Sequence, residues 1–84
     1  MVNDVEGKII EIVMQTVKNM SGFTIELTND LSLIDGGILD SLSIVNVVQG
    51  LQEAFDIEIM VSDITLDNFD TVQLVGNFVK ERLT

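Results

Sequence analysis

Cysteine and histidine are both absent from the 84 residues. Without thiolates there are no disulfides and no sulfur-ligated metal sites, and a reducing, cytoplasmic compartment suits the chain. Without imidazole it lacks the ordinary proton shuttle near neutral pH, which removes Ser-His-Asp and Cys-His catalysis and the common zinc sites. These two absences argue against a self-sufficient hydrolase. Proline, tryptophan and tyrosine are missing too, and there are four phenylalanines. The core is therefore expected to be aliphatic and free of aromatic plugs, which suits packed helices. Apolar runs are only a few residues long, and Asn3, Asp4 and Glu6 stand where a signal peptide carries basic groups. Neither membrane insertion nor export is expected.

Positive charge is the last scarcity. The basic residues are Lys8, Lys18, Lys80 and Arg82, and near the termini Asp4, Glu6, Glu11 and Glu81 balance them. Residues 19–79 have no basic side chain, so their acids, from Glu26 to Asp70, carry the entire net charge of −10. Such a surface repels DNA, RNA and anionic membranes, and it suits basic protein partners or simple solubility. A monomer is expected for a surface so charged.

The length allows one small domain, residues 1–84, with one core. From Asn3 or Asp4, apolar residues at Val5, Ile9, Ile12, Val13, Val17 and Met20 recur at helical steps, and Ser21-Gly22 marks a stop. Residues 22–40 form a long connection whose apolar members, Phe23, Ile25, Leu27, Leu31, Leu33 and Ile34, should pin it to the core. A second helix is predicted from Ser41 to Phe55. Its wheel puts Ile44, Val45, Val47, Val48, Leu51, Ala54 and Phe55 on one arc, and Ser43, Asn46, Gln49, Gly50, Gln52 and Glu53 on the other, with Leu42 exposed among them. Asp56-Ile57-Glu58-Ile59 alternates like a strand but is short and unpaired, and reads as a connection. A short helix from Ser62 or Asp63 to Asp67 follows, and Asp70 with Gln73 resembles a capping pair for a last helix running to Arg82. The fold class is all-α: a four-helix bundle of three main helices and one short one.

Within this frame, Asp40-Ser41-Leu42 places one nucleophilic hydroxyl at a helix start. Aspartate is a favoured N-cap, and the unpaired N–H groups and positive end of the dipole suit a phosphate carried on the serine. Asp63, Thr65 and Asp67 sketch a calcium loop, but Asn68 and Leu74 stand where that loop needs glycine and glutamate. Gly50 and Gly76, inside predicted helices, read as close packing, as room for a cargo, or as ordinary tolerance of glycine in a helix.

The order of elements, with Gly37-Ile38-Leu39-Asp40-Ser41-Leu42 at the head of the second helix and Leu51, Phe55, Ile57 and Ile59 beyond it, resembles the acyl carrier protein family over nearly the whole chain. The resemblance implies a non-enzymatic carrier with a covalent 4'-phosphopantetheine arm on Ser41, holding a thioester-linked intermediate for partner enzymes. It also implies a phosphopantetheinyl transferase with coenzyme A, an acyl- or aminoacyl-loading enzyme and a downstream synthase or transferase as partners. Asp40, Leu42, Val47, Glu53 and Asp63 are its candidate partner-recognition residues. Leu39 and Asn68-Phe69-Asp70-Thr71 look more like discrete carriers served by adenylating enzymes, of the D-alanyl type, than like fatty-acid carriers. A departure agrees: the exposed face of the second helix has a single acid, Glu53, so fatty-acid synthase enzymes that dock by basic patches should bind poorly. The rival reading is an acidic helical adaptor that keeps the fold and is never loaded.

Overall fold

The computed structural model describes residues 5–83. Helix α1 spans Val5–Ser21, α2 spans Ser41–Phe55, a 3₁₀ turn covers Val61–Asp63, α3 is the short Leu66–Phe69, and α4 is Val72–Leu83. Helix α1 packs against both α2 and α4, and α3 rests on α4. No strand forms among the described residues, so Asp56–Ile59 is a connection, held by the Ile59 N–H donating to Gln52 Oε1 at 2.8 Å. Among the described residues no helix is long and apolar enough to cross a membrane. The proposed helix starts at Asn3 and Asp4 lie outside the described residues.

Val5, Ile9 and Val13 of α1 enter the core as their spacing predicts, and Thr16 joins them because its hydroxyl donates to the Ile12 carbonyl at 2.8 Å. Met20 does not: it is exposed at the helix end, where its sulfur accepts from Asn46 Nδ2. Gly22 ends α1 with φ +82°, a left-handed conformation open to glycine, while its N–H donates to the Lys18 carbonyl at 2.8 Å.

Several expectations need correction. The core is not purely aliphatic: Phe69 is fully buried, its ring lies 5.3 Å from that of Phe78, and the Arg82 guanidinium covers Phe78 at 4.7 Å. Four phenylalanines sufficed to build a specific ring pair because two of them sit on the facing elements α3 and α4. The short helix predicted through Asp67 is two pieces, because the chain leaves helical geometry at Ile64-Thr65. Helix α4 is capped by Thr71, whose Oγ1 accepts the Leu74 N–H at 3.1 Å, and not by an Asp70–Gln73 pair. Asp70 spends its carboxylate on the distant loop instead. Gly50 and Gly76 both mark close packing: a Cβ would meet Ile12 Cγ2 at 3.0 Å in the first case and Glu6 Oε2 at 2.8 Å in the second.

Candidate functional site

Ser41 is the first residue of α2. Asp40, in extended backbone geometry, caps the helix: its Oδ1 accepts the N–H groups of Leu42 at 3.1 Å and Ser43 at 2.9 Å. Ser43 returns the bond, its Oγ accepting the Asp40 N–H at 2.8 Å, so that serine stands where a capping box usually has Glu or Gln. Ser43 is therefore buried by its duty to the cap, a correction to the wheel, which put it on the exposed arc. The Ser43 N–H, more than any other donor, holds the Asp40 carboxyl below the usual carboxylate range.

This geometry changes the electrostatic argument for a phosphate at Ser41. The N–H groups of Leu42 and Ser43 are already taken by Asp40, leaving the helix dipole rather than those two amides to favour an anion on the serine. Ser41 itself is exposed, and no described residue hydrogen-bonds its hydroxyl. Beside it lies an open depression of 330 Å³, walled by Ile34 and Leu39 from the loop, Ile44 from α2, and Ile64 and Leu66 from the far side. An exposed, unbonded serine at the rim of an apolar depression fits a covalently attached, flexible group.

The candidate recognition residues separate. Leu42 stands beside Ser41 and is 66% exposed, as expected. Glu53 is exposed near the other end of α2. Val47 is 1% exposed and packs into the core, so it offers a partner no surface. Asp63 is engaged within the molecule: its Oδ1 pairs with Arg82 at 2.8 Å, and its Oδ2 accepts the Met60 N–H at 2.9 Å. Val45, placed on the buried arc from sequence, is instead 55% exposed one turn after Ser41, because the flank of α2 carrying it is left uncovered. Ala54 is likewise exposed, and Phe55 only half-buried. From Ser41 to Gln52 the face of α2 is uncharged. Sequence reasoning missed Met60, Val61 and Leu66, exposed apolar residues of the segment between α2 and α4, and nothing in their local pattern separated them from core residues.

A small helical bundle that presents a solvent-facing serine at the head of its second helix, next to an apolar depression, has the make-up of a carrier protein. Residues 11–79 match the family described as phosphopantetheine attachment site, and the chain belongs to that family, whose covalent cofactor is 4'-phosphopantetheine. It is 31% identical over 80 residues to Aminoacyl carrier protein 1 of Bradyrhizobium diazoefficiens, covering 95% of this chain and 87% of that protein. It is 32% identical over 82 residues to the D-alanyl carrier protein of Streptococcus gordonii, covering 93% and 94% respectively. A chain from the crystal structure of Bradyrhizobium japonicum glycine:[carrier protein] ligase, complexed with its cognate carrier protein and an analogue of glycyl adenylate, superposes with a TM-score of 0.73 at 30% identity, over 92% of this chain and 97% of that one. The chain is thus a carrier protein of the all-α, four-helix type.

Proposed function

We propose that residues 1–84 act as one carrier domain that receives 4'-phosphopantetheine on Ser41 Oγ and carries an aminoacyl group. The observation that supports this reading most is the exposed, unbonded hydroxyl of Ser41 at the first position of α2. Loaded by a phosphopantetheinyl transferase, the serine oxygen takes the arm's phosphate from coenzyme A and releases adenosine bisphosphate. The attached arm supplies a terminal thiol, on which the cargo is held as a thioester. The base for the serine proton belongs to the transferase: there is no histidine, and the Asp40 carboxylate is committed to the helix cap, its Oδ1 accepting from Leu42 N–H, Ser43 N–H and Ser43 Oγ.

The aminoacyl cargo is supported by the relatives' names and by the uncharged face of α2, which does not match a basic docking patch. An adenylate-forming ligase is the proposed loading partner and a transferase the downstream one, with the carrier monomeric, cytoplasmic and without catalytic activity of its own. The tether raises the local concentration of cargo at each docked enzyme, which is what a carrier contributes physically. Intact mass spectrometry before and after a broad-specificity phosphopantetheinyl transferase with coenzyme A tests the attachment. Wild type should gain one arm and Ser41→Ala none. No gain in wild type with an active transferase would leave the unloaded adaptor as the reading.

A further inference from the structure

Asp70, at the exit of α3, lies close in space to a stretch of chain about three dozen residues away. Its Oδ1 accepts the N–H groups of Ile34 and Asp35, each at 3.0 Å, and the hydroxyl of Ser32 at 2.9 Å. Its backbone carbonyl accepts the Leu33 N–H. Ser32 Oγ passes the constraint on by accepting the Gly36 N–H at 3.0 Å. The turn then closes on itself, with Gly37 N–H donating to the Ile34 carbonyl at 3.1 Å and Leu39 N–H to the Leu33 carbonyl at 2.7 Å. The next two residues are Asp40 and Ser41. One carboxylate thus gathers a turn that ends at the serine and that also supplies Ile34 and Leu39 to the depression beside it.

The Asp40–Ser43 capping box defines where α2 begins, but it is internal to the helix and cannot fix where the helix start sits against the rest of the bundle. The turn at 32–39 does that, and no basic side chain is needed: within residues 19–79 there is none. Backbone N–H groups neutralise Asp70 instead, first among them that of Asp35, and they hold its carboxyl below the usual range, so it is ionised at neutral pH. From this geometry we infer that Asp70 is a positioning residue for the modification of Ser41: it presents the serine to the transferase by fixing the turn at 32–39. The inference rests on the attachment reading above.

The test is steady-state transfer by a phosphopantetheinyl transferase with coenzyme A, varying carrier concentration, on wild type, Asp70→Ala, Asp70→Asn, Ser32→Ala and the core variant Val13→Ala. A displaced serine lowers turnover even when the carrier saturates the enzyme, whereas partial unfolding raises only the apparent KM. Asp70→Ala is expected to lose about tenfold or more in kcat. Asp70→Asn should stay within about threefold, because its amide oxygen still accepts from Ile34 and Asp35. Val13→Ala should lose thermal stability with kcat unchanged. A wild-type kcat for Asp70→Ala overturns the inference, as does an equal kcat loss in Val13→Ala. If Asp70→Ala does not fold, Ser32→Ala decides, since it deletes the bridge to Gly36, and a wild-type kcat there is equally fatal. Wild type that gains no mass overturns the attachment reading and this inference together, an outcome distinct from wild type and Asp70→Ala being modified alike.

Discussion

The connection from α1 to α2 divides into two regions of unlike character. In residues 22–31 the hydrogen bonds are mostly local: Phe23 N–H to Ser21 Oγ at 3.2 Å, Thr28 Oγ1 to Asp30 Oδ1 at 2.8 Å, and Leu31 N–H to the Thr28 carbonyl at 3.3 Å. One tether, Gln73 N–H to the Asn29 carbonyl at 3.0 Å, reaches α4, and Phe23 is left 72% exposed. In residues 32–40 the bonds run to Asp70 across the fold, and Leu33 and Leu39 are buried. The first region is a spacer and the second a frame. Long loops in small domains need a reason, and here the reason belongs to the half next to the serine.

The largest effect should come from the core contacts of the frame. Leu33 is completely buried, so Leu33→Ala removes a side chain and leaves a cavity, at about 3 kcal/mol. Leu27, in the spacer, only leans on the core from a half-buried position, and Leu27→Ala should cost less than half as much, about 1 kcal/mol. Urea unfolding of the two variants measures the contrast. Equal losses would mean that both halves are held alike and the division is wrong.

This contrast marks how far the sequence could be read. The three main helices follow from the spacing of residues such as Ile9, Val13, Ile44, Val48, Val75 and Val79, because a helix period is a local signal. The Asp40 cap and the exposure of Leu42 were legible for the same reason. Asp70 was not. As a residue preceding a helix it reads as a cap, and only the fold reveals that its partners are at Ser32, Ile34 and Asp35. Gly36 is silent in the same way: a Cβ there would run into the Ser32 carbonyl oxygen, a contact made by the turn and invisible in the residue order. Val45 failed for a different reason, since a wheel gives direction but not whether a neighbouring element covers it. The Phe69–Phe78 pair, likewise, depends on how α3 meets α4.

Acid provides the next test, because the frame is charged and the spacer's bonds are mostly between neutral groups. The native carboxyl of Asp70 lies below the ordinary aspartate value of 3.8, so the unfolded chain binds a proton more readily than the native one. The resulting stability is fully present above about that ordinary value and is lost as pH falls through the native one. Asp40, lowered chiefly by the Ser43 N–H, and Glu6, lowered chiefly by its bond from Lys80, act in the same direction. The thermal midpoint of wild type should therefore decline on acidification below about pH 4. Asp70→Asn should start lower at neutral pH and decline less steeply, keeping the shares of Asp40 and Glu6. Parallel curves for the two proteins would show that Asp70 does not gather the turn as a carboxylate.

The smallest effect should be an insertion in the spacer. A Gly-Ser pair placed after Thr24 lengthens an exposed stretch whose side chains there make no core contact. Loop entropy grows only with the logarithm of length, so the insertion should cost well under ~0.6 kcal/mol and leave the rate of arm transfer to Ser41 unchanged. The same pair placed after Gly37 lengthens the turn that the Leu39 N–H closes by donating to the Leu33 carbonyl at 2.7 Å, and pushes the serine out of register with the bonds to Asp70. There the rate of transfer should fall well before the fold is lost, because the helices keep their own contacts while the turn that aims α2 does not close. Equal transfer rates from the two insertions would mean that the capping box alone presents the serine, and that the frame serves stability and nothing else.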